Sequence, residues 1–143
     1  MKKLVLIALL LHVMTACGDK DKNKDQAASP TNPPLTLQQD SPENAVRGYM
    51  QAYADKNADA INTLLCNSNP SLELWAEASM WDGIDSIRLD ETAYTVQEQS
   101  ASAARVSFTG KVISVADGDE TASPVIMYFQ LRFLDEKWCV AEN

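Results

Sequence analysis

The apolar residues of this chain change their spacing partway along, and that change limits its fold more than any other feature. Ahead of it, Ala45, Val46, Tyr49, Met50 and Tyr53 recur at i, i+3 and i+4, the rhythm of one amphipathic helix face. After the break Asp55-Lys56-Asn57, residues Ala58, Ile61, Leu64 and Leu65 carry a second helical face up to Cys66. Asn67-Ser68-Asn69-Pro70 is a turn cluster. Residues 71–81, with Leu72, Trp75, Ala76 and Met80 on one side, are expected as a third helix that Asp82-Gly83 ends. Beyond Gly83 the period drops towards two. Residues 84–99 read as a first strand with ragged alternation. Residues 104–115 alternate cleanly, with Val106, Phe108 and Val112 on one face and Arg105, Ser107, Thr109 and Lys111 on the other. A hairpin turn is expected over 116–120, and residues 125–134 then place Val125, Met127, Phe129, Leu131 and Phe133 on a shared face. Asp135-Glu136-Lys137 turns the chain into a last strand over 138–141. Helices first and antiparallel strands after specify an α+β domain with the helices packed on one sheet face.

That domain is expected to span 41–143. Ser41 is a good N-cap, Pro42 suits the first helical turn, and Glu43 is favourable beside a helix N-terminus. A chain of 143 residues accommodates one such core. The formal net charge is −8, and a surface of that sign repels polyanions, so nucleic acid is not an expected partner.

The first 16 residues have the three-part form of an export signal. Lys2 and Lys3 supply positive charge, an apolar run from Leu4 to Met14 is broken only by His12, and Thr15-Ala16-Cys17 closes it with small residues. The run of about 11 residues is too short for a membrane-spanning helix, which needs about 20. Removing this segment would also remove His12, the one histidine of the chain. A chain without histidine lacks the commonest general base and metal ligand, together with every Ser-His or Cys-His pairing.

Met14-Thr15-Ala16-Cys17 resembles the lipobox of bacterial lipoproteins. The resemblance implies a cut before Cys17, diacylglycerol on its thiol and an acylated amine. Two or more acyl chains meet the requirement for stable anchoring that a single chain does not. The expected location is the cell envelope, lipid-anchored and facing the periplasm. Gly18 follows the cysteine, and aspartate comes one place later at Asp19, which in this family favours the outer membrane over the inner in a Gram-negative cell. Residues 17–40 are rich in Asp, Lys, Asn, Gln and Pro, with Leu35 and Leu37 as their large apolar residues, and are expected to be a disordered tether. A flexible chain of that length spans about 25 Å.

The folded part also resembles a known group. The Ser41-Pro42-Glu43 start, a Tyr/Ala-rich helix, the short charged break, a second helix and a terminal hairpin with Lys137-Trp138 are similar to the NTF2-like superfamily, most of all to its small lipoproteins of unknown function. The resemblance covers 41–143. It implies a cone-shaped fold in which a curved antiparallel sheet wraps a helix and often leaves a pocket. The superfamily holds dehydratases and isomerases beside many members with no chemistry.

Candidate chemistry is sparse. Cys66 and Cys139 are the cysteines left after Cys17, and an oxidising envelope makes them a natural disulfide, worth about 4 kcal/mol in the chain-entropy account. The alternative is two separate buried thiols. Cys139 alternates with Trp138 and Val140, so the bond requires Cys66 to approach the strand face opposite theirs. Two cysteines without histidine fall short of a structural zinc shell. Asp117-Gly118-Asp119-Glu120 lacks the spacing of a calcium loop and reads as a plain turn. Neither a metal nor another cofactor is expected.

Tyr49 and Tyr53, one helical turn apart, and Trp75 are the candidate pocket residues, with core packing as the plainer reading. The expected function is a non-catalytic binding or scaffold module for an envelope protein partner or a small apolar ligand. One alternative is a pocket enzyme of isomerase or dehydratase type, which needs a carboxylate buried beside Tyr49 or Tyr53. Another is a periplasmic immunity or inhibitor protein. Oligomeric state is left open.

Overall fold

The computed structural model describes residues 37–68 and 80–141. The signal segment, Cys17 and all but the last residues of the tether lie outside the described residues, as do Trp75 and most of the expected third helix.

Helix α1 spans Pro42–Ala54. Ser41 precedes it in an extended conformation, and its side chain accepts the backbone N–H of Asn44 at 3.2 Å. Such a cap is worth about 1 kcal/mol. The charged break has a distinct job at each position. Asp55 is the C-cap of α1, Lys56 turns the chain in the left-handed region with φ 54°, and Asn57 caps α2 by accepting the N–H of Ala60 at 3.0 Å. Helix α2 spans Ala58–Leu64. The face of α1 that carries Ala45, Val46, Met50, Ala52 and Ala54 is buried. Its alanines leave room for a close approach to the sheet.

Four strands follow: β1 Ser86–Gln99, β2 Ala103–Ala116, β3 Asp119–Leu134 and β4 Lys137–Ala141. They form one antiparallel sheet in the order β1-β2-β3-β4. Register sets the inner face in rows, Val96 beside Val106 beside Phe129, then Ala104 beside Leu131 beside Val140. Phe108, Met50, Ile61, Leu64, Leu131, Val46 and Val106 are the largest fully buried side chains, so the core lies between both helices and this face. Burial of one such side chain contributes about 1.5–3 kcal/mol. The expected α+β architecture, helices on an antiparallel sheet, is what the described residues show.

Several boundaries differ from the sequence expectation for identifiable reasons. The turn between β2 and β3 takes two residues, Asp117 at φ 51° and Gly118 at φ 84°, rather than the five of 116–120. Positive φ at both central residues is the signature of the type I′ turn. Strand β3 therefore starts at Asp119 rather than at 125, because the tight turn and the length of β2 impose pairing on a stretch with no apolar alternation. The first strand begins at Ser86, two places after the expected start. Its ragged alternation is a bulge: Asp90 pairs with Lys111 and Ala93 with Thr109, so Glu91 and Thr92 together oppose Gly110. The bulge flips the parity, which lets odd-numbered Ile87 and Leu89 share the inner face with even-numbered Tyr94 and Val96. The outer face is not exposed throughout, since Ser107 and Ile113 are buried there.

Cys66 and Cys139 are joined in a disulfide with a Cα–Cα separation of 4.9 Å. The geometric requirement is met because Cys66 is not on the helix. Leu65, in extended conformation at the end of α2, forms a parallel bridge with Val140, and the Cys66 N–H donates to the Val140 carbonyl at 2.9 Å. The chain thus runs along the free edge of β4, where either strand face is within reach. Gln39, placed in the tether by composition, docks on the same edge. Its carbonyl accepts the Trp138 N–H at 2.9 Å, and its Nε2 donates to the Trp138 carbonyl at 2.8 Å.

Candidate functional site

Strand β4 pairs with residues 130–134 of β3 and no further. The preceding residues of β3, 119–129, have β2 as their one sheet neighbour among the described residues. Over that stretch the inner face of β3 is less deeply covered. Val125, Met127 and Phe129 are half-buried and pack against the edge of the core. Tyr49 and Tyr53 of α1 are also half-buried against the same core. Tyr49 meets Phe129 edge-on with ring centroids 5.5 Å apart, and Tyr53 meets Trp81 at 6.3 Å. The i, i+4 spacing of the tyrosines and the two-residue period of β3 thus leave a band of half-buried apolar side chains at the edge of the core, joined across helix and sheet by the Tyr49–Phe129 contact.

The two candidate tyrosines are therefore on one side of the same apolar band. The third candidate, Trp75, lies outside the described residues. Sequence reasoning placed Met127 and Phe129 on a shared strand face and missed their part in this band. The strand period put Met127 and Phe129 on the correct face, but half-burial depends on where β4 stops, which no local pattern encodes.

Polar groups near the band are few. The Trp81 indole nitrogen is buried with no hydrogen-bond partner among the described residues. Lys56 Nζ donates to the Ile84 carbonyl. Further along the inner face, Tyr94 contacts Phe108 at 5.3 Å, and the Arg47 guanidinium lies 4.4 Å from the Tyr94 ring centroid. Burial raises the Tyr94 hydroxyl above its ordinary pKa, partly opposed by the charge of Arg47 and a hydrogen bond with Thr92. Among the described residues no Asp or Glu is buried. Glu43, in the first turn of α1, is half-buried and the others are exposed. No group of three His, Cys, Asp or Glu side chains is placed to hold a metal ion among them. No described helix is long and apolar enough to cross a membrane.

The disulfide partners Cys66 and Cys139 sit at the β4 edge, away from the tyrosine row, and act as a staple between the end of α2 and the last strand. The acidic run Asp117-Gly118-Asp119-Glu120 forms the hairpin turn and the start of β3.

No family model matches the chain, and no curated protein matches it. Solved structures do. A proposed aromatic ring hydroxylase from Novosphingobium aromaticivorans is similar at 14% identity and a TM-score of 0.51, with 67% of this chain and 81% of that chain covered. A ketosteroid isomerase-like protein from Erwinia carotovora is similar at 17% identity and a TM-score of 0.48, covering 69% and 91%. An NTF2-like protein of unknown function from Shewanella oneidensis is similar at 11% identity and a TM-score of 0.46, covering 68% and 93%. At these identities the likeness concerns the fold, helices packed on an antiparallel sheet.

Proposed function

We propose that this chain is an NTF2-like, cone-shaped envelope lipoprotein that binds a small apolar ligand without transforming it. One observation carries the reading: the half-buried band of Tyr49, Tyr53, Val125, Met127 and Phe129 with the buried Trp81 behind Tyr53, beside which no described carboxylate is buried. Binding sites for small molecules are mostly apolar, with a few polar groups that fix orientation. The Trp81 N–H, without a partner among the described residues, supplies one such group, a donor that a ligand oxygen would satisfy. Proton-transfer chemistry of isomerase type needs a carboxylate held in an apolar site. In this reading Cys17 carries the lipid, residues 18–40 form the tether with Gln39 docked on β4, and the domain is held off the outer-membrane surface facing the periplasm.

Titration of the full chain with a neutral apolar dye tests the binding claim. One saturable site is expected, weakened when Met127→Trp fills the band. Dye binding that is unsaturable, or unchanged by that substitution, overturns the claim. Intact-mass measurement tests the anchor separately, with a chain beginning at Cys17 and carrying acyl mass as the expected result. An unmodified Cys17 would refute the anchor.

A further inference from the structure

A cavity of about 250 Å³ opens at the other end of the sheet from the β2–β3 turn, lined by Glu98, Gln99, Ser100, Ala103, Arg105 and Gln130 among others. Three of these side chains form one row across the outer face, since Glu98 pairs with Arg105 and Arg105 with Gln130. The row therefore offers, in order, a carboxylate, a guanidinium and an amide. It lies on the face opposite the aromatic band and is independent of the binding proposed there.

Arg105 is the unusual member. Its Nε is buried and has no hydrogen-bond partner, one of two such side-chain nitrogens among the described residues. A buried donor left unpaired is unfavourable, and it shows that the protein itself does not saturate this guanidinium. The guanidinium carbon lies 5.0 Å from the Tyr128 ring centroid, and such a contact holds the cation while its in-plane N–H groups stay available. Glu98, directly across the ladder, makes no ion pair with it among the described residues. The exposed carboxylate and the partly buried cation are thus both available to a third molecule.

The chemistry of the row selects the ligand. A guanidinium prefers a carboxylate, which it can grip with two parallel hydrogen bonds. A simple anion is disfavoured by Glu98 beside it and by a chain of net charge −8. A zwitterion places its carboxylate on Arg105 and its ammonium against Glu98, with no net charge to repel. The cavity is below the usual 300–1,000 Å³ of drug-sized sites and suits a molecule of amino-acid size. We propose that this cavity binds a small zwitterionic α-amino acid, with Arg105 holding the carboxylate and Glu98 the ammonium.

Calorimetric titration of the full chain with glycine, acetate and methylammonium as probes tests the assignment. Glycine is expected to bind about tenfold or more tightly than either half-molecule, the worth of one charge-assisted hydrogen bond. Arg105→Gln should weaken glycine binding by about tenfold or more. Glu98→Gln, at an exposed position that folding tolerates, should reduce glycine to the level of acetate. That second variant carries the test even if Arg105→Gln fails to fold. Glycine binding no tighter than acetate, or unaffected by Glu98→Gln, overturns the proposal.

Discussion

Tyr94 is half-buried on the inner face beneath the Arg47 guanidinium, and burial shifts its hydroxyl upward against the opposing effects of Arg47 and Thr92. The consequence for stability has a definite sign. Below about pH 10 the phenol is neutral in the folded and unfolded chains alike, and ionisation contributes no pH dependence. As pH rises past that point the unfolded chain ionises first, so stability falls until the folded group follows. Tyr94→Phe should flatten this alkaline decline, measured as the urea midpoint between about pH 9 and pH 11. An unchanged slope would show that other groups account for it. A second residue-scale effect lies in the β3–β4 turn, where Asp135 at φ 51° and Glu136 at φ 63° both occupy the left-handed region without being glycine. That region costs an L-residue about 1–2 kcal/mol. Glu136→Gly should stabilise the protein by about 0.5–1 kcal/mol after the added freedom of the unfolded chain is subtracted, read as a rise in the urea midpoint.

Strands β1 and β3 show what pattern alone can and cannot supply. The bulge in β1 needs Gly110 opposite it. A Cβ at Gly110 would stand 3.0 Å from the Asp90 carbonyl oxygen and 3.1 Å from Phe108 Cζ, with backbone on one side and a fully buried ring on the other. Gly110→Val should cost about 1–3 kcal/mol through overpacking, seen as a lower denaturation midpoint. A neutral result would mean that the bulge can relax. The two helices were legible, because Ser41, Asn57 and the i, i+4 spacings act locally, but the end of α2 was not: it stops at Leu64 rather than Cys66, where Leu65 pairs with Val140 of β4. Nor was the start of β3. Glu120, Thr121, Ala122, Ser123 and Pro124 have no strand signature, and their pairing follows from the turn at Asp117-Gly118. A two-residue turn closes on a hydrogen-bonded pair, so alternate β3 residues from Glu120 onward turn their backbone away from β2. Pro124 is one of these. Its missing N–H falls on the edge that β4 does not reach, where it breaks no ladder bond and guards the strand against foreign pairing. The same limited reach of β4 leaves Val125, Met127 and Phe129 half-buried, which is why the candidate site was only partly legible. The tyrosine row could be read from spacing, but the opposing row depended on a strand end.

For the molecule as a whole, the Cys66–Cys139 bond closes a sequence separation of 73 residues, tying the end of α2 to the last strand. Reducing it, or replacing both cysteines with serine, should lower stability by about 2–4 kcal/mol, checked by chemical denaturation with and without reductant. The loss should reach the ligand band only indirectly, since the staple sits on the far edge of β4. Gln39 docks on that edge as well, so α1 is held at its entrance while Tyr49 meets Phe129 of β3. Anchoring, in the proposed reading, ends where this docking begins. The claim that the band between α1 and β3 takes up an apolar ligand is tested most directly by labelling the methionine methyl groups of the full chain and following them by NMR during titration with a neutral apolar compound. Met127 belongs to the half-buried band, whereas Met50 is 1% exposed in the core. Saturable shifts at Met127 with Met50 unmoved are predicted, and a titration that leaves Met127 unchanged would contradict the account.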